Sequence, residues 1–344
     1  MTTNKSTYTY FVEIKPTGYF FFGNEQSFNT KEIDKYEKEV NNYFAKSNLY
    51  PQQTAILGLI RHSLLAFYNS LDNGVDQKSK IIGIKNFDGI HDNTFGYINS
   101  ISPLVICKEV NKKIQILTPA PFTQQEKNTI TAKFNNTASY INKSSDNTIE
   151  LEKFDYKDFA TDVNWQDEDG EIVKDIYEKA LTKVGIDKKK KEEAFFKQEL
   201  HKLKKDFSFG VWVTFNEEIK ETPNFLIPFG GDQSIFKILF HSEIENIFNV
   251  IQTDTKHILL LSDAYIDEAI FEDIDFAINT YTNFRYIHSK DKNFYMLSGN
   301  DKSDKSILMQ RGSVLYCKDA SKVAAKLRSN KAFRNIGYNY FKFI

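Results

Sequence analysis

Apolar positions recur along this chain with two different periods. Over Ser47–Leu65, SNLYPQQTAILGLIRHSLL, the residues Ile56, Leu59, Ile60 and Leu64 stand at i, i+3, i+4 and i+8, the stripe of an amphipathic helix. Pro51 suits a first helical turn, where its missing N–H costs nothing, so the pattern predicts a helix from Pro51 to about Leu71. Gly58 interrupts the stripe at a cost of about 1 kcal/mol against alanine, which predicts another backbone or a ligand close by. Elsewhere the period is two. Tyr8–Lys15 predicts a first strand, ended by Pro16-Thr17-Gly18 and followed by an aromatic loop or short strand, Tyr19–Phe22, closed by Gly23. Further strands are predicted over Ile81–Ile84, Tyr97–Cys107, Lys112–Leu117, Phe207–Phe215, Phe225–Phe229, Ile235–Phe240 and His257–Leu261. Toward the end the same holds for Phe284–Ile287, Ser306–Met309, Ser313–Cys317 and Tyr338–Phe343, with a second helix over Ala320–Leu327. Strand, helix, strand, strand is half of a split β-α-β arrangement, so the class is α+β.

At 344 residues the chain exceeds one typical domain, and two domains are expected. Its 30 phenylalanines argue for extensive packing. A formal net charge of −1 gives no global attraction to nucleic acid, so any such site has to come from local clusters. The clusters exist. Glu152–Glu171 carries eight acids against two lysines, whereas Lys183–Lys205 carries nine lysines against four acids. Asp263–Asp275 holds six acids and no base, and Lys318–Lys342 seven basic residues and one acid. The stretch Thr123–Asp169 reads as an exposed insertion with Trp165 anchoring its end, its acidic half turned to a basic partner rather than to RNA.

Catalytic and metal chemistry find little support. Cys107 and Cys317 form no C-x-x-C pair, and six scattered histidines give no H-x-x-x-H, so no metal is expected. There is no G-x-S-x-G and no G-x-x-x-x-G-K-[ST], and Gly230-Gly231-Asp232-Gln233 lacks the second acid of a two-metal site. No cofactor is implied. With a polar N-terminus and no apolar run approaching 18 residues, the expectation is a soluble cytoplasmic protein without a membrane partner. The positions that suit an anion are Gln52, Gln53 and Thr54 in a first helical turn, and the glycine turn Gly230, Gly231, Gln233 and Ser234. A packed core helix and a simple hairpin turn explain those two features as well. The run Lys188–Lys191 reads, taken alone, as a solvated loop.

Taken in order, four features form one pattern. They are a Pro-Gln-Gln-Thr-x-x-x-Gly-x-x-Arg helix after the loop PTGYFFFGNEQSF (Pro16–Phe28), then SISPL (Ser100–Leu104), KVGIDKKKKEEAFF (Lys183–Phe196), and the run from IPFGGDQS to RGSVLY (Ile227–Tyr316). The pattern resembles the RAMP proteins of CRISPR effector complexes, and more narrowly the third subunit of the type III-B Cmr complex, a Cas-five-type protein. The resemblance implies two ferredoxin-like (RRM-like) domains with a protruding basic hairpin, or thumb, and long insertions. Residues 1–122 would be the first domain, 123–182 a variable acidic insertion, 183–206 the thumb and 207–344 a degenerate second domain. It also implies a non-catalytic RNA-binding role in antiviral defence. The subunit would grip and cap the 5′ handle of the guide crRNA, cap the foot of the filament of backbone RAMP subunits, and dock on the large polymerase/cyclase subunit, in a hetero-oligomeric ribonucleoprotein.

Carried onto this sequence, the RNA-binding residues of the first loop and helix are Gly18, Phe21, Gln52, Gln53, Thr54, Arg61 and His62. The thumb contributes Lys183, Lys188, Lys189, Lys190, Lys191 and Phe195. The late turns contribute Gly230, Gly231, Gln233 and Ser234, with Arg311 and Gly312 converging on the same groove. One departure is the neutral-to-acidic Gly23-Asn24-Glu25, where many members carry arginine. The alternatives are the equivalent subunit of a type III-A or type I complex, a metal-independent guide-processing endoribonuclease using His62 or His201, and a structural scaffold.

Overall fold

The computed structural model describes residues 6–23, 27–33, 39–68, 75–83, 85–93, 95–126, 129–130, 142–143, 149–150, 159–160, 163–186, 195–219, 224–248, 255–288 and 301–344. The first half holds β1 (Tyr8–Pro16), β2 (Ser27–Ile33), β3 (Glu39–Lys46), α1 (Gln53–Phe67), α2 (Val75–Ile82), β4 (Ile98–Ile101), β5 (Val105–Val110) and β6 (Lys113–Pro119). There follow β7 (Trp165–Gln166), β8 (Ile172–Val173), β9 (Leu181–Ile186), β10 (Phe195–Leu200), β11 (Phe207–Phe215), β12 (Asn224–Phe229) and β13 (Ser234–His241). The last part holds β14 (His257–Leu260), β15 (Ile274–Ile278), β16 (Tyr281–Phe284), β17 (Ser306–Met309), β18 (Val314–Cys317), α3 (Ala320–Ser329), α4 (Lys331–Asn335) and β19 (Phe341–Phe343). The class is α+β, with sheets dominating.

The alternation of β1 sends Tyr10, Val12 and Ile14 to one face and Phe11 to the other, and both faces are covered. On the first face lies α1, whose Ile56, Leu59, Ile60 and Leu64 are all buried. Each such side chain contributes on the order of 1.5–3 kcal/mol. The opposite face packs Phe11, Val105, Cys107 and Trp212 against Leu259, Leu261 and Val314 of the C-terminal unit. The main sheet runs β8-β7-β6-β5-β11-β1-β13-β12, with β4 also on β11. A second sheet, β15-β18-β14-β19, belongs to the C-terminal unit. In the first sheet the strands β1, β5, β11 and β13, counted in chain order, lie side by side as second-third-first-fourth, all antiparallel. The strands β14, β15, β18 and β19 repeat that order.

Several elements differ from the sequence expectation. Because β11, β12 and β13 join the sheet of β1, a domain boundary at 206/207 cuts through one sheet, and the C-terminal unit starts at β14. Residues Ile81 and Ile82 end α2 rather than forming a strand, and α1 stops at Phe67. The single strand read over Tyr97–Cys107 is two, β4 and β5, separated by Ser102-Pro103-Leu104, where proline supplies no ladder N–H. The hairpin of β2 and β3 was not anticipated. Gly58 is exposed and a Cβ there would meet open space, so nothing among the described residues accounts for that glycine. The acidic run and the basic tail face one another: Lys326 Nζ lies 2.8 Å from Asp273 Oδ2, and Lys318 Nζ donates to the Glu272 carbonyl at 3.0 Å.

Candidate nucleic-acid interface

A four-stranded sheet, β9-β10-β3-β2, is built from two hairpins joined by parallel pairing of β10 with β3. The β9–β10 pair occupies the position of the expected thumb, with register from Leu181↔Leu200 to Ile186↔Phe195. Lys183 is exposed on it, and Phe195 begins its return strand. Lys188, Lys189, Lys190 and Lys191 lie outside the described residues.

The aromatic loop after β1 is clamped at the root of this hairpin. Phe20 and His201 exchange backbone bonds at 2.8 and 3.1 Å, and Asn48 N–H donates to the Phe22 carbonyl at 2.9 Å. Phe20 and Phe22 are core residues, with rings 4.8 Å apart. Phe21 is also buried, against Ala45 and Leu200, and therefore offers no stacking surface to a base. Tyr19 is the exposed ring of the loop, and Lys202 Nζ stands 5.7 Å from its centroid. Sequence reasoning did not single out this pair, because period alone does not tell which of four consecutive aromatics turns outward. Gly18 is open: among the described residues, its chain neighbours aside, no atom lies within 4 Å of a Cβ placed there.

The glycine turn packs onto this loop. Gly230 has φ +92°, and a Cβ on it would meet the Phe21 carbonyl at 2.7 Å. Gly231 N–H donates to the Phe21 carbonyl at 3.0 Å, and Gln233 N–H to the Gly230 carbonyl at 3.2 Å. Ser234 Oγ sits 3.0 Å from the Tyr19 carbonyl and 2.7 Å from Asp232 Oδ1. With those donors engaged and a carboxylate in the turn, the phosphate-nest reading of Gly230, Gly231, Gln233 and Ser234 gives way to a cover over the aromatic loop.

On α1 the expected side chains divide. Gln52 and Thr54 are partly exposed at the helix start, and His62 is half-buried. Gln53 is fully buried, and its Nε2 donates to the Ser102 carbonyl at 2.7 Å, so the Gln-Gln-Thr and SISPL stretches meet there. Arg61 is buried too. Its Nε donates to the Ile82 carbonyl at 2.9 Å and its Nη1 to Asn86 Oδ1 at 3.0 Å, with the guanidinium 5.1 Å over Phe95. Burial pushes its pKa down to about 10. This arginine ties down the chain after α2 and is not presented to a phosphate.

Arg311 and Gly312 do not converge on the glycine turn. Arg311 is 1% exposed, forks onto Asp263 through Nε and Nη2 at 3.1 Å each, and stacks 4.4 Å from the Tyr50 centroid. Despite burial, the Asp263 carboxylate holds its pKa above the ordinary value. Gly312, at φ +88°, passes between Phe122 and the Ala120 carbonyl, where a Cβ would meet atoms at 2.8 and 2.9 Å. Both residues join the two halves of the chain. His201 is likewise internal, its Nε2 3.2 Å from the Ser47 carbonyl and its pKa lowered chiefly by burial, which does not suit a general acid or base open to RNA. Lys46 and Lys202 pair loosely at the surface with Glu199 at 3.6 Å and Glu178 at 3.8 Å; such exposed pairs are weak and leave the cations usable.

Among the described residues no group of three His, Cys, Asp or Glu is placed to hold a metal, and no helix is long and apolar enough to cross a membrane. No protein-family model and no curated protein matches the sequence. Among solved structures, the chain is similar to one in the type III-B Cmr-beta complex bound to cognate target RNA and AMPPnP, with a TM-score of 0.52, 13% identity, and coverage of 97% of this chain and 99% of that one. It is similar also to a chain of the Cmr-beta complex bound to cognate target RNA, with a TM-score of 0.53, 15% identity and 96% coverage of both. At such identities what is shared is the fold, and the chain has the fold of these Cmr-beta chains.

Proposed function

We propose that this chain is a non-catalytic RNA-binding subunit of a type III-B CRISPR ribonucleoprotein, of the RAMP superfamily, that grips the 5′ handle of the guide crRNA. The observation that carries the reading is the fold held in common, over 96% or more of the chain, with chains of the Cmr-beta complex bound to target RNA. We read the repeated second-third-first-fourth strand order as two ferredoxin-like units. The first has one crossover helix, α1, and the second has α3 with a 3-10 segment, Glu268–Asp273, in place of the other.

Single-stranded RNA is held by lysines on phosphates and by bases stacked on aromatic rings. Tyr19 and Lys202 at the root of the β9–β10 hairpin, with Lys183 along it, supply both. In this reading the RNA follows the hairpin toward Lys188–Lys191 and passes the Gly230–Ser234 turn. The subunit docks on the large polymerase/cyclase subunit and caps the filament of backbone RAMP subunits.

The test is binding of a handle-bearing guide RNA by fluorescence anisotropy across a salt series. Affinity is expected to fall linearly on a log–log scale with a slope of about −0.7 per neutralised phosphate. Salt-independent binding, or none, leaves a scaffold. Guide RNA is expected to stay intact on long incubation; cleavage abolished by His62→Ala would make the chain a processing nuclease instead.

A further inference from the structure

Where α1 begins, a cleft of about 370 Å³ opens between the segment leading into the helix and the β16–β17 ribbon. Its lining has an unusual balance. Asp263 is its one acid, and that carboxylate is already forked by Arg311, so the cleft is close to neutral inside. Lys46 stands at the edge, more than half exposed. Tyr50, Pro51, Phe284 and Leu308 make part of the lining apolar, and the Arg311 guanidinium backs the Tyr50 ring.

Two side-chain amides of the lining are unengaged. Gln52 and Asn283 line the cleft, and among the described residues neither side-chain amide makes a hydrogen bond. Gln310 Nε2 donates to the Tyr50 hydroxyl at 3.0 Å, which leaves the Gln310 carbonyl oxygen and the Tyr50 proton. Tyr338 lines the same cleft at 1% exposure, near enough to the Gln53 and Thr54 N–H groups to feel them, yet without a well-formed hydrogen bond of its own. Gln52 and Asn283 are only half-buried, so their amides are open to an occupant that enters the cleft, while the Tyr338 hydroxyl behind them is buried.

The occupant's chemistry follows. A primary amide offers a donor and an acceptor side by side, the complement of a nucleobase edge, and an apolar lining accepts its π-face. A bare phosphate would meet the Asp263 carboxylate and leave the amides unused. We propose that this cleft is a nucleobase pocket, taking one unstacked base with Gln52 and Asn283 reading its edge and Lys46 beside its phosphate. As a site for one base of a bound RNA strand it rests on the RNA-binding reading above; as a site for a free nucleotide it does not.

The experiment scans a handle-bearing guide RNA with 2-aminopurine and with abasic substitutions, one position at a time, against the full chain and against Gln52→Ala/Asn283→Ala. Neither side chain makes a hydrogen bond among the described residues, and an unchanged melting temperature checks that the variant folds. One position is expected to change fluorescence on binding, to lose roughly tenfold or more in affinity when abasic, and to lose its signal in the variant. If RNA binds with no position singled out, or the variant responds like the parent, the pocket is refuted while the RNA reading stands. If no RNA binds, saturation-transfer NMR with the four nucleoside monophosphates decides: base-proton transfer that the variant abolishes supports a pocket for free nucleotide, and no transfer overturns it.

Discussion

Arg311 and Asp263 form a buried fork, with Nε and Nη2 each 3.1 Å from a carboxylate oxygen, and the guanidinium rests on Tyr50 from the other half of the chain. A sequence reading of Arg-Gly in a late turn assigns that arginine to phosphate. Its geometry assigns it to holding the C-terminal unit against the entry to α1. Breaking a buried pair by removing one partner leaves an uncompensated charge and costs about 3–5 kcal/mol. Arg311→Met is therefore expected to lower the urea midpoint strongly, while the salt slope of RNA binding by the remaining folded fraction stays that of the parent. A normal midpoint with a shallower slope would return Arg311 to the RNA surface.

Gly210 sits in β11 where the main sheet is covered on its C-terminal side, and a Cβ there would meet the Phe11 ring and Cys107 Sγ. Overpacking of this kind costs about 1–3 kcal/mol. Gly210→Ala should unfold at lower urea with an unchanged dependence on denaturant. No change would mean that this face is loosely covered.

Much of the fold was legible where a pattern is local. The stripe Ile56, Leu59, Ile60 and Leu64 is the buried face of α1, and α3 runs Ala320–Ser329 where a helix over Ala320–Leu327 was expected. What period two cannot supply is the partner of a strand. It gives the faces of β11 and β13 but not that both flank β1, about two hundred residues earlier, so the boundary at 206/207 fell inside a sheet. The site suffered from a related blindness. Arg61, Gln53, Phe21 and Arg311 carry the chemistry of an RNA site, and only tertiary burial reveals that their side chains are used internally. Gln52, the same residue type as Gln53, and Lys183, a cation like Arg61, are partly or fully exposed.

On the sheet face away from α1, Glu13 accepts from Ser208 Oγ at 2.7 Å and meets His241 Nε2 at 3.3 Å; His241 Nδ1 lies 3.3 Å from Glu243. The bond to Glu13 raises the His241 pKa, against the pull of burial. Burial pushes the Glu13 carboxyl up, but the bonds from His241 and Ser208 bring it below the ordinary value. A raised histidine pKa gives stability that is complete below its unfolded value of about 6.5 and lost as pH rises through the folded one. The depressed Glu13 pKa gives stability present above the ordinary carboxylate value and lost on acidification. The stability difference between the parent and His241→Gln should thus be largest near pH 5–6 and shrink as pH rises above about 6.5. Urea midpoints between pH 5 and 9 measure it, and a difference independent of pH would contradict the assignment.

Lys183 and Lys202 reach solvent on the hairpin and at its root, and Lys202 lies over Tyr19. Changing both to glutamate should weaken RNA binding and make the salt slope shallower by about 0.7 for each phosphate contact removed, with no loss of fold. An unaltered slope would place the RNA elsewhere.

The most direct measurement of the central claim is purification of the chain from cells carrying its neighbouring genes, with sequencing of bound RNA and ultraviolet crosslink mapping. The account predicts short guide RNAs with a constant 5′ repeat remnant, crosslinked at the hairpin around Lys183–Lys202 and at Tyr19. Assembly into a complex without RNA, or with RNA of random sequence, would contradict it and leave the chain a protein scaffold.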